Sequence, residues 1–289
     1  MYMNSGNTRY LPDILFLFVF LPLFLTVVYF TSLNSAFILH TDDYTIFTIY
    51  ATNFAHFDYN HFMSNLLSYM VIILLIFIFF RIFGLCERKN FYLNLLTIFI
   101  IAPFGISLFS LLIYDMDKIL GFSGIVSSLL GYFTASFVTY TYKKADINLN
   151  RTILFLFPVI FFNLSILSLI RYGLIENTGL DLLLIFILSI YLLDEAKIDI
   201  IKIYHSFKNN NLVNSNFKNI PFYWYAIATV LFFFTFTIGL WLILFPEKVL
   251  NNGNITNIQG HYIGFMIGTL TPILTYNLKV YIKKLTQLN

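Results

Sequence analysis

The polar residues with a capacity for chemistry fall in three short stretches. Gly121-Phe122-Ser123-Gly124 opens an apolar run, HFDYNHFMSN carries His56, His61 and Asn65, and GHYIGFMIG carries His261, Gly264 and Gly268. Ser123 stands where the run from residue 122 predicts a helix to start. Free backbone N–H groups and the helix dipole favour negative charge at such a position, and the oxyanion of acyl transfer is such a charge. Gly121 and Gly124 clear side chains from around the hydroxyl, so a substrate backbone could approach. A serine hydroxyl is a weak nucleophile without a base. Of the five histidines only His261 lies beyond residue 205, at the start of the last apolar run and at a depth similar to Ser123. His61 and Asn65 are four apart and share one helix face. His56, five before His61, falls off that face and belongs at or before the helix start. An amide at Asn65, more than a turn into an apolar helix, needs a partner or a water-filled cavity. Taken singly, each residue has a plainer reading: a packing serine, an interhelical hydrogen bond, an interfacial histidine.

The elements that must position these residues are membrane helices. The chain has 289 residues, of which 59% are hydrophobic, 20% aromatic and only 11% charged, with a mean hydropathy of +0.80. A soluble domain carries about 25% charged residues, so the expectation is an all-α polytopic membrane protein. A spanning helix needs roughly 20 apolar residues, and eight candidate runs qualify: 13–31, 60–81, 91–113, 122–142, 152–171, 179–193, 222–245 and 259–280. The sixth is short. The first is too long for a signal-peptide core and reads as a retained helix. None carries an Asp, Glu, Lys or Arg deep inside. A net charge of +3 argues against a nucleic-acid partner, and a single cysteine, Cys86, excludes an internal disulfide and a multi-cysteine metal site.

Charge placement predicts orientation. With an inside N-terminus, fourteen of the seventeen Lys and Arg residues fall in inner segments; the exceptions are Lys118, Arg171 and Lys248. The positive-inside rule then puts both termini in the cytoplasm. It also requires the short sixth span, because without it the Lys-rich segment 194–221 would change sides. The first part of that segment predicts a short interfacial helix, and its Asn-rich part a loop. Ser123, His261 and residues 32–59 all come to the outer side. Gly264 and Gly268 make a small-xxx-small face one turn below His261, and Gly124 and Gly131 share a face. Small faces let membrane helices approach closely, and contact between these two would bring Ser123 and His261 within reach.

In this order and on these spans, the motifs resemble those of the rhomboid intramembrane serine proteases. That family has H-x4-H-x3-N on its second helix, GxSG opening its fourth, and a histidine followed by GxxxG on its last core helix. Here they stand as His56, His61 and Asn65; Gly121, Ser123 and Gly124 with Gly131; and His261, Gly264 and Gly268. The resemblance implies a dyad of Ser123 as nucleophile and His261 as general base. It implies an oxyanion hole from the His61 and Asn65 side chains with the Ser123 N–H, and a structural role for His56 beside it. The implied architecture is a single rhomboid-like membrane domain over 1–289. Its six-helix core would be 13–142 and 259–280 plus one helix from 152–245, with two extra helices inserted within 152–245. The implied activity is cleavage of transmembrane or juxtamembrane segments of membrane proteins near the outer face, in the cell membrane. A rhomboid-like pseudoprotease that binds such clients without cutting is the alternative. No cofactor or metal is implied, and the sequence is silent on oligomeric state.

The sequence also departs from the family. Its core members have one helix between serine and histidine; here there are three, which preserves parity. Well-studied bacterial members carry a tyrosine one turn after the serine, packed on the histidine, where Ser127 stands here, and a Trp-Arg pair in the first outer loop, where residues 32–55 contain neither. The pattern is closer to archaeal members. Residues 152–258 carry hardly any of the resemblance. Asp58, three before His61, could pair with it. Asp115 and Asp117 read as a solvated loop, and His40 and His205 as solvated side chains. Asn163 lies mid-membrane and reads as bonded to a neighbouring helix. Asn254-Ile255-Thr256 matches a common glycosylation acceptor pattern.

Overall fold

Two prolines and two distant tyrosines explain much of how the helices are built. The computed structural model describes residues 10–82, 88–113, 118–144, 179–208, 250–251, 254–255 and 257–288. In chain order these form α1 (Leu11–Phe30), α2 (Leu33–Phe37), β1 (Leu39–His40), α3 (Ile46–Ala51), α4 (Tyr59–Phe80) and α5 (Arg88–Ile113). There follow β2 (Lys118–Ile119), α6 (Ser123–Lys144), α7 (Leu180–Lys208), the hairpin strands β3 (Leu250–Asn251) and β4 (Asn254–Ile255), and α8 (Ile258–Leu288). Three of the described helices, α1, α4 and α5, are long and apolar enough to cross a membrane. The described residues are mostly helical, with the helix lengths and apolar composition that suit a membrane protein.

In α1 the turn Leu15–Phe20 is widened to π geometry directly before Pro22. A proline ring clashes with the carbonyl four residues back, and an extra residue in the turn relieves that clash. The Leu21 N–H reaches back to the Phe16 carbonyl, and Pro22 has no N–H to give. The Leu17 carbonyl instead accepts from the Tyr69 hydroxyl of α4 at 2.8 Å. In α5, Pro103 likewise gives no N–H to the carbonyl of Phe99, which accepts from Tyr50 at 3.0 Å. In lipid, a freed carbonyl needs such a partner. Hydroxyls in the helices are satisfied the same local way: Ser110, Ser128, Thr134, Thr269 and Thr271 each donate to the carbonyl four residues back.

The central packing is α8 against α6, with α5 alongside. A methyl group at Gly264 would run into the Gly124 carbonyl, one at Gly268 into the Ser128 carbonyl, and one at Gly131 into the Phe265 carbonyl. Backbone thus lies on backbone, and the two glycine faces meet. Deeper in the bundle, Thr275 donates to Asn94 Oδ1 at 2.6 Å and Asn94 Nδ2 to the Tyr132 hydroxyl at 3.2 Å, joining α8, α5 and α6. At the far end, Asp13 is fully buried and accepts from Arg88 Nε and Nη2 at 3.0 and 2.8 Å, and from the Tyr92 hydroxyl. Charge at the start of the first span therefore has its partner on α5, 75 residues further along the chain.

One sequence expectation changes, and two short strand pairs are added. The sixth span does not end at residue 193 with a separate interfacial helix after it. One helix, α7, runs unbroken for 29 residues, because residues 180–208 hold no glycine or proline and Asp194–Lys197 and Asp199–Lys202 pair along its surface. The segment between α1 and α4 and the one before α6 pair as β1 and β2, with Leu39 opposite Ile119 and His40 opposite Lys118. β3 and β4 form a second short antiparallel pair, with Leu250 opposite Ile255 and Asn251 opposite Asn254. The expected spans at 152–171 and 222–245, and with them the proposed two-helix insertion and Asn163, lie outside the described residues.

Candidate active site

Ser123 and His261 each lie in the first turn of a helix, and those two turns meet. Phe122 is the last residue before α6, and its carbonyl accepts from Ile125 and Val126. His261 is the fourth residue of α8. Glycine-on-backbone packing brings these turns side by side. The Ser123 Oγ and His261 Nε2 atoms lie 2.7 Å apart. Both residues are partly exposed, so the pair is reachable.

The approach to Ser123 is shaped by Gly121, whose φ of +133° suits glycine and strains any other residue. A Cβ there would sit 3.0 Å from Cε1 and 3.3 Å from Nε2 of His61, and 3.8 Å from Ser123 Oγ. Glycine is therefore what allows the His61 ring and the serine hydroxyl to flank the same point. The loop is held from outside α6. The Gly121 N–H donates to the Thr52 carbonyl at 3.1 Å, and the Thr52 hydroxyl donates to the Ile119 carbonyl. Leu39 N–H donates to that same hydroxyl at 3.2 Å. Thr52 was not singled out from sequence; the only signal is a polar Thr-Asn pair within an apolar stretch. Asn53 beside it donates to Ser107 Oγ at 2.8 Å and to the Pro103 carbonyl at 3.1 Å, fastening the same turn to α5.

His61 and Asn65 share a face of α4, as their spacing predicts. Asp58 is the helix cap: its Oδ1 accepts from the His61 backbone N–H at 2.8 Å. Asp58 therefore meets the main chain of His61, because a carboxylate three residues ahead is suited to the free N–H groups of a first turn. Asn65 is 6% exposed, and its Nδ2 has no hydrogen-bond partner among the described residues. A buried amide donor costs about 1–3 kcal/mol when unpaired, and it stands one turn below His61.

His56 precedes α4, off the His61–Asn65 face. Its backbone is held on both sides by Asn34, with His56 N–H to Oδ1 and Nδ2 to the His56 carbonyl each at 2.9 Å. Its ring packs edge-on to His61 at 5.3 Å between centroids and to Phe62 at 5.4 Å. Burial, and then the neighbouring His61, push the His56 imidazole down to about 3, so it is neutral at ordinary pH. Ser127, one turn below Ser123, is buried. Among the described residues, no three His, Cys, Asp or Glu side chains gather closely enough to hold a metal ion.

Chemically, the arrangement offers a hydroxyl with a base in contact, and a buried amide and an imidazole on one neighbouring face. It also offers a glycine-lined approach and two helix N-termini that favour negative charge. Set against family models, curated proteins and solved structures, the chain matches none.

Proposed function

We propose that this protein is an intramembrane serine endopeptidase of the rhomboid type, working through a Ser123–His261 dyad. The observation that carries the reading is the 2.7 Å contact between Ser123 Oγ and His261 Nε2. In the proposed reaction His261 Nε2 takes the Ser123 proton as Oγ bonds to the carbonyl carbon of the scissile peptide. The carbonyl oxygen becomes the oxyanion, facing the Ser123 N–H and the side chains of His61 and Asn65. The C–N bond then breaks, and His261 returns its proton to the leaving amine. Water then attacks the acyl carbon, giving a proton to His261; the C–Oγ bond breaks, the new carboxyl terminus leaves, and His261 returns the proton to Ser123 Oγ.

The substrates would be transmembrane or juxtamembrane segments of other membrane proteins. The protein would be a multi-pass protein of the cell membrane with both termini cytoplasmic, so that cleavage occurs near the outer face. Fluorophosphonate labelling of the detergent-solubilised protein tests the chemistry. Wild type is expected to label, and both Ser123→Ala and His261→Ala to lose labelling. A folded wild type that does not label would overturn the reading in favour of a client-binding protein without activity.

A further inference from the structure

The contacts around the start of α8 form a closed set next to the dyad. Asn257 precedes the helix, and its Oδ1 accepts from the Gly260 N–H at 2.8 Å. Its Nδ2 donates to Ser110 Oγ of α5 at 2.7 Å, and that hydroxyl donates to the Ile106 carbonyl at 2.7 Å. A Cβ at Gly124 would lie 2.6 Å from Ile106 Cδ1 and 3.2 Å from the Gly260 carbonyl oxygen. A Cβ at Gly260 would lie 2.7 Å from Asn257 Nδ2, so Gly260 is what lets Asn257 fold over the first turn. One turn of α5 thus bears on the residue after Ser123 and, through Asn257, on the residue before His261.

We propose that Asn257, folded over Gly260 and tethered to Ser110, is a positioning residue that holds His261 against Ser123. This rests on the dyad reading above. Asn257 touches neither reacting atom. It fixes the rotation and height of the first turn of α8 relative to α5, and α5 is the surface on which Gly124 also rests. Displacing a reacting group by about 1 Å costs on the order of 10²-fold in rate, so a slack first turn is felt at the dyad.

The test is the rate of fluorophosphonate labelling of the full chain in detergent from about pH 5 to about pH 9, across the histidine range. Wild type is expected to speed up as the histidine loses its proton, and His261→Ala to stay at the unlabelled background across the range. Asn257→Ala is expected to label about 10–100-fold more slowly, with the rise flattened toward the His261→Ala profile. Ser110→Ala, which removes the tether and leaves the cap, is expected to fall between. Asn257→Asp, whose carboxylate keeps the acceptor for the Gly260 N–H and takes the Ser110 hydroxyl proton once that hydroxyl turns from the Ile106 carbonyl, is expected to restore most of the rate. An Asn257→Ala protein with the wild-type profile overturns the proposal, whether its rate is unchanged or only the fraction of labelled protein falls. A wild-type profile in His261→Ala overturns the dyad reading itself, and this inference with it.

Discussion

Among individual residues, the contrast between His56 and Asn65 shows how environment assigns different work to neighbouring polar groups. His56 is held by its backbone, buried among aromatic rings, and kept neutral down to about pH 3. A histidine in the unfolded chain takes up a proton below about 6.5. Between these values the unfolded chain binds the extra proton, so His56 contributes stability above about pH 6.5 that is lost as pH falls toward about 3. The slope is at most about 1.4 kcal/mol per pH unit. Thermal unfolding in detergent is expected to show a shallower acid-side loss of stability in His56→Gln than in wild type; equal slopes would exclude His56 as its source. Asn65 instead keeps a buried donor unspent. Asn65→Ala is expected to lower acylation by about 10²–10³-fold without loss of thermal stability, because no protein hydrogen bond is removed. A drop in Tm with unchanged labelling would mean a structural amide.

For single elements, the prolines in α1 and α5 and their tyrosine partners are the feature to test. Tyr69 and Tyr50 each reach a helix carbonyl that a proline leaves without its usual donor. Tyr69→Phe keeps the ring and removes the hydroxyl, leaving the Leu17 carbonyl unsatisfied at a cost of about 1–3 kcal/mol. Tyr50→Phe is expected to cost less, because Tyr50 is only partly buried. Thermal unfolding of both variants in detergent tests the ranking; a Tyr69→Phe protein as stable as wild type would show that the carbonyl finds water or another donor. The same reasoning explains why this region was only partly legible in sequence. Pro22 and Pro103 announce a disturbed helix, but nothing local identifies the residue 47 or 53 positions away that repairs it.

For the whole molecule, the property to test is orientation. Lys118 lies beside the serine loop and Lys197 on α7, and both side chains are exposed. In a Cys86→Ser background, Lys118→Cys is expected to react with a membrane-impermeant maleimide added to intact cells, and Lys197→Cys only after permeabilisation. The reverse pattern would invert the proposed topology and place the Ser123 end on the cytoplasmic side. Exposed apolar residues run along α7, including Leu183, Phe186, Ile187 and Ile190, as expected of a helix that meets lipid.

The sequence by itself determined the helical class, the approximate limits of most of the described helices and which of the candidate residues share a helix face. Those properties follow from apolar run length and from spacing along one helix, which are local. His61 and Asn65 had to share a face, and Gly264 and Gly268 had to make a flat one, whatever the rest of the chain did. Tertiary structure alone decided which surfaces meet. It put Ser123 Oγ within 2.7 Å of His261 Nε2 across 138 residues of chain. It gave Thr52 the serine loop to hold, paired Asp13 with Arg88, and set Asn257 on Ser110. Such contacts join residues with no periodic relation, so they depend on the packing of whole helices and leave no mark in the local pattern of either partner.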